Sequence, residues 1–134
     1  MIIHYTKLYV LTLFAFLSID AIWLGLVARG FYGRHLEALL RANPNWLAAL
    51  LFYLLFVAGV LLFVVVPAAQ QESAKRALVY GAFFGLVTFA TYDLTNLATI
   101  KDWPLIVTII DLVWGTSLGA VLSYLGFLME RWLR

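Results

Sequence analysis

The sequence predicts an all-α, polytopic membrane protein, a bundle of four transmembrane helices that forms one domain over residues 1–134. The first observation behind this prediction is the composition: 65% of the residues are hydrophobic and only 12% are charged, whereas a soluble domain is about half apolar and a quarter charged. The second is a mean hydropathy of +0.98. The third is that the apolar residues fall into long runs.

Four such runs cover about residues 8–28, 46–66, 77–99 and 104–129. A hydrocarbon core of about 30 Å needs roughly 20 apolar residues per helix, and each run supplies them. The second run carries no charge, and each of the other three carries a single Asp. Transmembrane strands are excluded because the runs show no alternation of period two.

The first helix is expected to end before Arg29. It is also expected to remain attached, because it is too long for the apolar core of a signal peptide and contains Asp20. Residues 29–45 then form a long first loop. Three leucines in this loop follow helical spacing among charged residues, namely Leu36, Leu39 and Leu40. They predict a short helix along the membrane interface.

Prolines mark the ends of the later helices. Pro44 precedes the second helix and Pro67 closes it, while Pro104 fits the first turn of the fourth, where its missing N–H costs nothing. Aromatic residues near the helix ends predict belts at both interfaces. They are Trp46 and Trp103 at one interface, and Tyr5, Tyr9 and Trp132 at the other.

Four spans place both termini and the second loop on one side of the membrane. That side has a slight excess of Lys and Arg, which predicts cytoplasmic termini in a bacterial inner membrane protein. Because the excess is small, dual topology stays open.

The third and fourth helices each contain a small-residue motif, Gly81-x-x-x-Gly85 and Gly115-x-x-x-Gly119. Such motifs are typical of transmembrane helices whose backbones approach closely. Asp111 precedes Gly115 by one helical turn, so this acid is predicted to lie on the packing face.

Three acids lie inside the spans, namely Asp20, Asp93 and Asp111. No Lys or Arg within the spans neutralises them, and a charge at the bilayer centre costs at least ~2.5–3.5 kcal/mol. Because the first and third helices run antiparallel to the fourth, all three acids lie roughly 9–12 Å inside the same interface. Three carboxyl groups in a water-poor layer cannot all be ionised, and such groups indicate proton handling or cation binding. The alternative is that they are neutral and only fix helix register through hydrogen bonds.

Aromatic and amide side chains are expected beside these acids. Trp23 and Trp114 each follow an Asp by three residues, as Asn96 follows Asp93, so each pair shares a helix face. The predicted site has Asp20, Asp93 and Asp111 as catalytic acids. Its predicted substrate-binding residues are Trp23, Tyr53, Tyr92, Asn96 and Trp114.

Several kinds of site are excluded by the sequence. There is no Cys for a disulfide or a thiolate ligand, and two His are too few for a His-rich di-iron centre. No phosphate-binding, dinucleotide-binding or zinc-protease motif occurs. The basic residues are scattered over the loops, which argues against nucleic acid. We therefore expect no metal, no cofactor and no nucleic acid partner.

One string is especially specific, Tyr-Asp-Leu-Thr-Asn-Leu-Ala-Thr at residues 92–99. It occurs together with the segments at residues 17–23, 52–53, 67–68, 90–91, 103–104 and 111–115. On these segments the chain resembles a family of small bacterial four-span proteins, domain of unknown function 2177. The resemblance covers essentially the whole chain and implies an integral inner-membrane protein, without a settled activity.

Two functions of different classes fit these observations. The first is binding or modification of a lipophilic molecule, lipid or isoprenoid-like, by acid–base chemistry, with Asp93 and either Asp20 or Asp111 as the acid–base pair. The second is a proton- or cation-coupled small transporter that works as a dimer. A channel or a structural subunit ranks third. Membrane lipids and a lipophilic small molecule are the expected partners, and both enzymatic activity and a homodimer are left open.

Overall fold

The computed structural model describes residues 1–40 and 43–134, and four long helices make up most of them. They are α1 (Ile2–Leu36), α2 (Trp46–Gln70), α3 (Ala74–Thr99) and α4 (Leu105–Leu133). No strand occurs within these described residues. Each helix is long and apolar enough to cross a membrane, which confirms the predicted all-α, multi-pass fold.

Helix α1 is longer than predicted, because it continues through Arg29 to Leu36. The expected break at Arg29 and the separate interfacial helix are therefore wrong. No proline interrupts this stretch, and Arg34 Nε donates to the carbonyl of Gly30 one turn earlier, at 3.2 Å. At about 1.5 Å per residue α1 is roughly 50 Å long, so one end extends beyond a hydrocarbon core of about 30 Å.

The three leucines of the predicted first loop do not share one apolar face. Leu36 is buried in a small cluster with Trp103 and Val107, whereas Leu39 and Leu40 are exposed after the end of α1. Trp103 is only 7% exposed, so its indole packs inside the protein instead of forming a belt. Residues 41 and 42 of this loop lie outside the described residues.

Helix α2 also passes its predicted end, since it continues through Pro67 to Gln70. The prediction that Pro67 closes the helix is wrong. A π-helical stretch, Leu61–Val65, comes just before the proline. In a π-helical turn each carbonyl bonds to the N–H five residues on, instead of four as in an α-helix. The carbonyl four residues before the proline therefore does not depend on the N–H that proline lacks.

Helices α3 and α4 pack along the two glycine motifs. A Cβ atom on Gly85 would collide with the backbone carbonyl of Gly115, and a Cβ atom on Gly119 would collide with that of Gly81. This confirms the close backbone approach that the motifs predict. Asp111, which lies on α4 one helical turn before Gly115, is only 8% exposed, in agreement with its predicted position on this packing face.

Both termini and the turn between α2 and α3 meet at one end of the bundle. His4 Nε2 lies 3.1 Å from Glu130 Oε1, and Arg134 Nε lies 2.9 Å from Glu130 Oε2. Arg134 also donates to the carbonyl of Ala69 at 2.9 Å. The opposite end, where α1 leads toward α2 and α3 leads into α4, is called the loop end.

The neighbours of α2 change along its length, and this change positions the site. Its segments Leu61–Val65 and Val66–Gln70 pack on α3 and α4, whereas Trp46–Val60 packs mainly on α1 and meets α3 near its end, where the rings of Phe56 and Phe84 lie 5.6 Å apart. Helix α2 therefore stands away from α3 toward the loop end. A buried core fills the rest of the bundle and includes Leu8, Val57, Val60, Leu118 and Leu122.

Candidate functional site

A cavity of about 410 Å³ lies among the four helices, toward the loop end. Most of its lining side chains are aromatic, and two are acids. The lining residues are Phe16, Asp20, Trp23, Leu24, Tyr32, Phe52, Tyr53, Thr88, Phe89, Tyr92, Asp111 and Trp114. This space is called the aromatic cavity.

Each acid of the aromatic cavity accepts a hydrogen bond from a tyrosine. The Tyr53 hydroxyl donates to Asp20 Oδ2, and the Tyr32 hydroxyl donates to Asp111 Oδ1. Within the described part of the chain, neither acid forms an ion pair with Lys or Arg. The two bonds join α1 to α2 and α1 to α4, so they hold both carboxyl groups toward the same space.

Tyr32 was not among the predicted site residues. Counted along a regular α-helix, Tyr32 lies about 120° away from Asp20, because twelve residues at about 100° each do not return to the same face. The stretch Trp23–Ala28 is π-helical. An inserted π-turn adds one residue to the helix and rotates the residues after it by about 100°, which brings Tyr32 toward the side of Asp20.

Trp23 and Trp114 both line the aromatic cavity, as the spacing from their acids predicts. Their indole rings stack on each other, with centroids 4.2 Å apart and an angle of 8° between the ring planes. Since Trp23 lies on α1 and Trp114 on α4, the stack forms a continuous aromatic wall beside the two acids.

Asp93 has a different environment from the other two acids. It is fully buried, at 0% exposure, and is not part of the cavity lining. Neither carboxylate oxygen has a hydrogen-bond partner within the described residues. Its backbone carbonyl accepts from Thr108 Oγ1 at 3.4 Å, and this hydroxyl accepts from Trp103 Nε1 at 3.0 Å. The structure thus brings Asp20 and Asp111 to one cavity and places Asp93 outside its lining.

Tyr92 and Phe52 form part of the cavity's rim. Tyr92 on α3 is 57% exposed and Phe52 on α2 is 41% exposed. Both lie about 10 Å from the nearer end of their helices, at roughly 1.5 Å per residue. The rim therefore lies between the diverging parts of α2 and α3, well inside the length of both helices.

A second cavity of about 340 Å³ adjoins the first and is called the interfacial cavity. Its lining residues are Leu24, Ala28, Arg29, Tyr32, Leu36, Leu40, Tyr92, Trp103 and Asp111. Four of these residues also line the aromatic cavity, so the two spaces are neighbours. Asn96, a predicted site residue, lines neither of the two cavities.

The chemistry available in the aromatic cavity is that of two carboxyl groups, two phenols and a pair of indoles. Within the described residues, no group of three or more His, Asp or Glu is placed to hold a metal ion. A carboxylic acid donates a proton and a carboxylate accepts one, while an indole face attracts a cation. The arrangement is suited to proton transfer on a ligand in an apolar space.

These features define a class: a four-helix integral membrane protein with two acids in an aromatic cavity. The chain belongs to the family domain of unknown function 2177, described as a predicted membrane protein, whose family model matches residues 5–128. No curated protein matches the chain, and no solved structure matches it.

Proposed function

We propose that this protein binds or modifies a lipophilic small molecule, of lipid or isoprenoid type, by acid–base chemistry in the aromatic cavity. The observation that carries the proposal is the pairing of Asp20 with Tyr53 and of Asp111 with Tyr32 around one cavity. Acids at this depth are costly in a membrane and usually mark a functional site.

The two acids have different roles in this proposed chemistry. One carboxyl group donates a proton to the ligand and the other, as a carboxylate, removes one, so the proton count of the pair is unchanged after both steps. The tyrosine hydroxyls orient the carboxyl oxygens, and the stacked indoles stabilise positive charge that develops on the ligand.

This proposal changes the acid–base pair that the sequence suggested. The sequence paired Asp93 with either Asp20 or Asp111, whereas the proposal pairs Asp20 with Asp111, because those two line the same cavity. Asp93 becomes a residue of the interface between α3 and α4 instead of a group that touches the ligand.

The position of the rim also supports a lipophilic ligand. Phe52 and Tyr92 are exposed where α2 diverges from α3, about 10 Å inside the ends of their helices, and we assign this level to the lipid chains. A molecule dissolved in the bilayer thus reaches the cavity sideways without crossing a polar surface. We place the protein in the bacterial inner membrane with cytoplasmic termini, as the weak charge bias favours.

A proton- or cation-coupled transporter that works as a dimer is the second candidate. One observation favours a transporter: the interfacial cavity extends the aromatic cavity toward the loop end, as a transport route would require. Transport also needs a route to the other end, which the buried core of Leu118 and Leu122 closes in this conformation.

Lipid analysis tests the proposal. Membranes that contain the protein, Asp20→Asn, Asp111→Asn or the control Glu37→Gln are compared with membranes that lack it, and lipids bound to each purified protein are identified by mass spectrometry. Glu37 is exposed and lines neither cavity. We expect a lipophile that is bound or altered with the protein and with Glu37→Gln, and that is lost in both Asp variants. The proposal is wrong if all four proteins give the same lipid profile.

A further inference from the structure

The interfacial cavity connects the aromatic cavity with the loop end of the bundle. Four residues line both spaces: Leu24, Tyr32, Tyr92 and Asp111. The hydrogen bond from Tyr32 to Asp111 therefore lies at their junction. A chain-like molecule that occupies one cavity reaches the other by passing this pair.

The two cavities differ in charge. Arg29 is the one basic residue among the described residues that line them, and it belongs to the interfacial cavity. Within the described chain no carboxylate forms an ion pair with it. A guanidinium group presents a fork of N–H donors that fits carboxylate or phosphate oxygens.

Arg29 lies nearer the loop end of the bundle than Asp20 does. Nine residues separate the two along α1, which is roughly 14 Å at about 1.5 Å per residue. Apolar side chains such as Leu36 and Leu40 line the rest of this cavity.

We propose that the ligand is an amphiphile with an anionic head group, carboxylate or phosphate, and that Arg29 binds this head group while the chain enters the aromatic cavity. This inference rests on the proposed function, because it names the class of molecule in the same site. The positive charge selects against cationic amphiphiles, and the apolar lining selects against anions without a chain.

Binding of the head group determines which part of the chain meets the acids. Asp111 lines the interfacial cavity together with Arg29, whereas Asp20 lines only the aromatic cavity. With the head group at Arg29, Asp20 therefore meets a part of the chain farther from the head group than Asp111 does, and Arg29 acts as the residue that selects the position.

Quenching of tryptophan fluorescence tests the inference in purified protein in a neutral detergent. The probes are stearate brominated at mid-chain and the matching brominated stearyl alcohol, which has the same chain and no charge. Bromine quenches indoles on contact, and Trp23 and Trp114 line the cavity. Loss of part of the quenching in Trp114→Phe assigns the signal to this site.

We expect stearate to quench at concentrations at least about tenfold lower than the alcohol, as a charge-assisted hydrogen bond provides. Arg29→Gln should abolish this preference and leave quenching by the alcohol unchanged. Arg34→Gln is the matched control, because Arg34 lies on the same part of α1 and lines neither cavity. It should keep the preference of the unmodified protein.

The outcomes separate this inference from the proposed function. Equal quenching by both probes, or an anion preference that survives Arg29→Gln, overturns the role of Arg29 but still supports a lipophile in the aromatic cavity. Displacement of stearate by millimolar inorganic phosphate would show that Arg29 binds a free anion, which also overturns the head-group assignment. If neither probe quenches, binding of a lipophile in the cavity is wrong as well.

Discussion

The indole rings of Trp23 and Trp114 lie parallel, with centroids 4.2 Å apart and planes 8° from each other. Each indole comes three residues after an acid of the aromatic cavity, Asp20 on α1 and Asp111 on α4. The stack therefore joins the two helices that carry the acids. Aromatic pairs contribute about 0.5–1.5 kcal/mol beyond the area that they bury, so this contact both stabilises the bundle and shapes the site.

Replacing one indole should remove the stack. Trp114→Leu is expected to lower the unfolding temperature in detergent and to change the near-ultraviolet circular dichroism that paired indoles produce. Trp132→Leu is the control, because Trp132 is 76% exposed near the end of α4 and should leave both signals nearly unchanged. Identical spectra for Trp114→Leu and the unmodified protein would contradict the stacked arrangement.

Loss of either tyrosine hydroxyl should leave a carboxyl group without its donor. Tyr32→Phe is expected to destabilise the protein by about 1–3 kcal/mol, the cost of a buried polar group that loses its partner, because Asp111 is only 8% exposed. Tyr53→Phe should cost less, because Asp20 is only partly buried. Chemical unfolding in detergent measures this effect. In the double variant Asp20→Ala with Tyr53→Phe the two losses should not add fully, because each single change removes the same bond.

Tyr5→Phe is a suitable control for both tyrosine variants. Tyr5 is 42% exposed near the N-terminus and does not line the aromatic cavity. A loss of stability as large in Tyr5→Phe as in Tyr53→Phe would show that the effect does not come from the bond to Asp20.

A side chain on the glycine face should force α3 and α4 apart. Gly85→Ala is expected to destabilise the protein by about 1–3 kcal/mol, since its Cβ would collide with the backbone carbonyl of Gly115. Gly33→Ala is the matched control, because a Cβ at Gly33 would meet no atom within 4 Å beyond its chain neighbours and the backbone of its own helix. That change should stabilise α1 by up to about 1 kcal/mol. A tolerated Gly85→Ala would argue against the close backbone contact.

Asp93 offers a test of its structural role. Asp93→Asn should keep the fold, because Asn matches the shape of Asp and carries no charge. Asp93→Lys should prevent folding, since it introduces a long charged side chain at a site with 0% exposure. Size-exclusion chromatography after detergent extraction distinguishes a folded from an aggregated protein. Extraction of Asp93→Lys as a monodisperse protein would show that the site is open to water.

Topology is tested with reporter fusions after Arg41 and after Arg134. Four spans with both termini at one end predict opposite locations for the two reporters, with the reporter after Arg134 in the cytoplasm. A shared location would contradict the four-span arrangement. Comparable signals on both sides from each fusion would instead establish dual topology.

The sequence was sufficient for the general architecture. Four apolar runs of about 20 residues require four spans because a lipid environment leaves few alternatives. The spacing of Trp23 from Asp20 and of Trp114 from Asp111 also placed these residues on common helix faces, since that spacing is close to one helical turn. For these residues the local geometry of a helix was enough.

The tertiary structure decided which acids share a cavity and which other residues reach it. In a regular α-helix Arg29 would lie about 180° from Asp20 and Tyr32 about 120° from it. The π-helical stretch Trp23–Ala28 shifts both by about 100°, and nothing in the residue pattern of α1 indicates that shift. Asp93 shows the converse case, because the sequence predicts the same depth for it as for the other two acids, yet it does not line their cavity. Depth follows from counting residues, but the side that a carboxyl group faces depends on how α3 packs against α4.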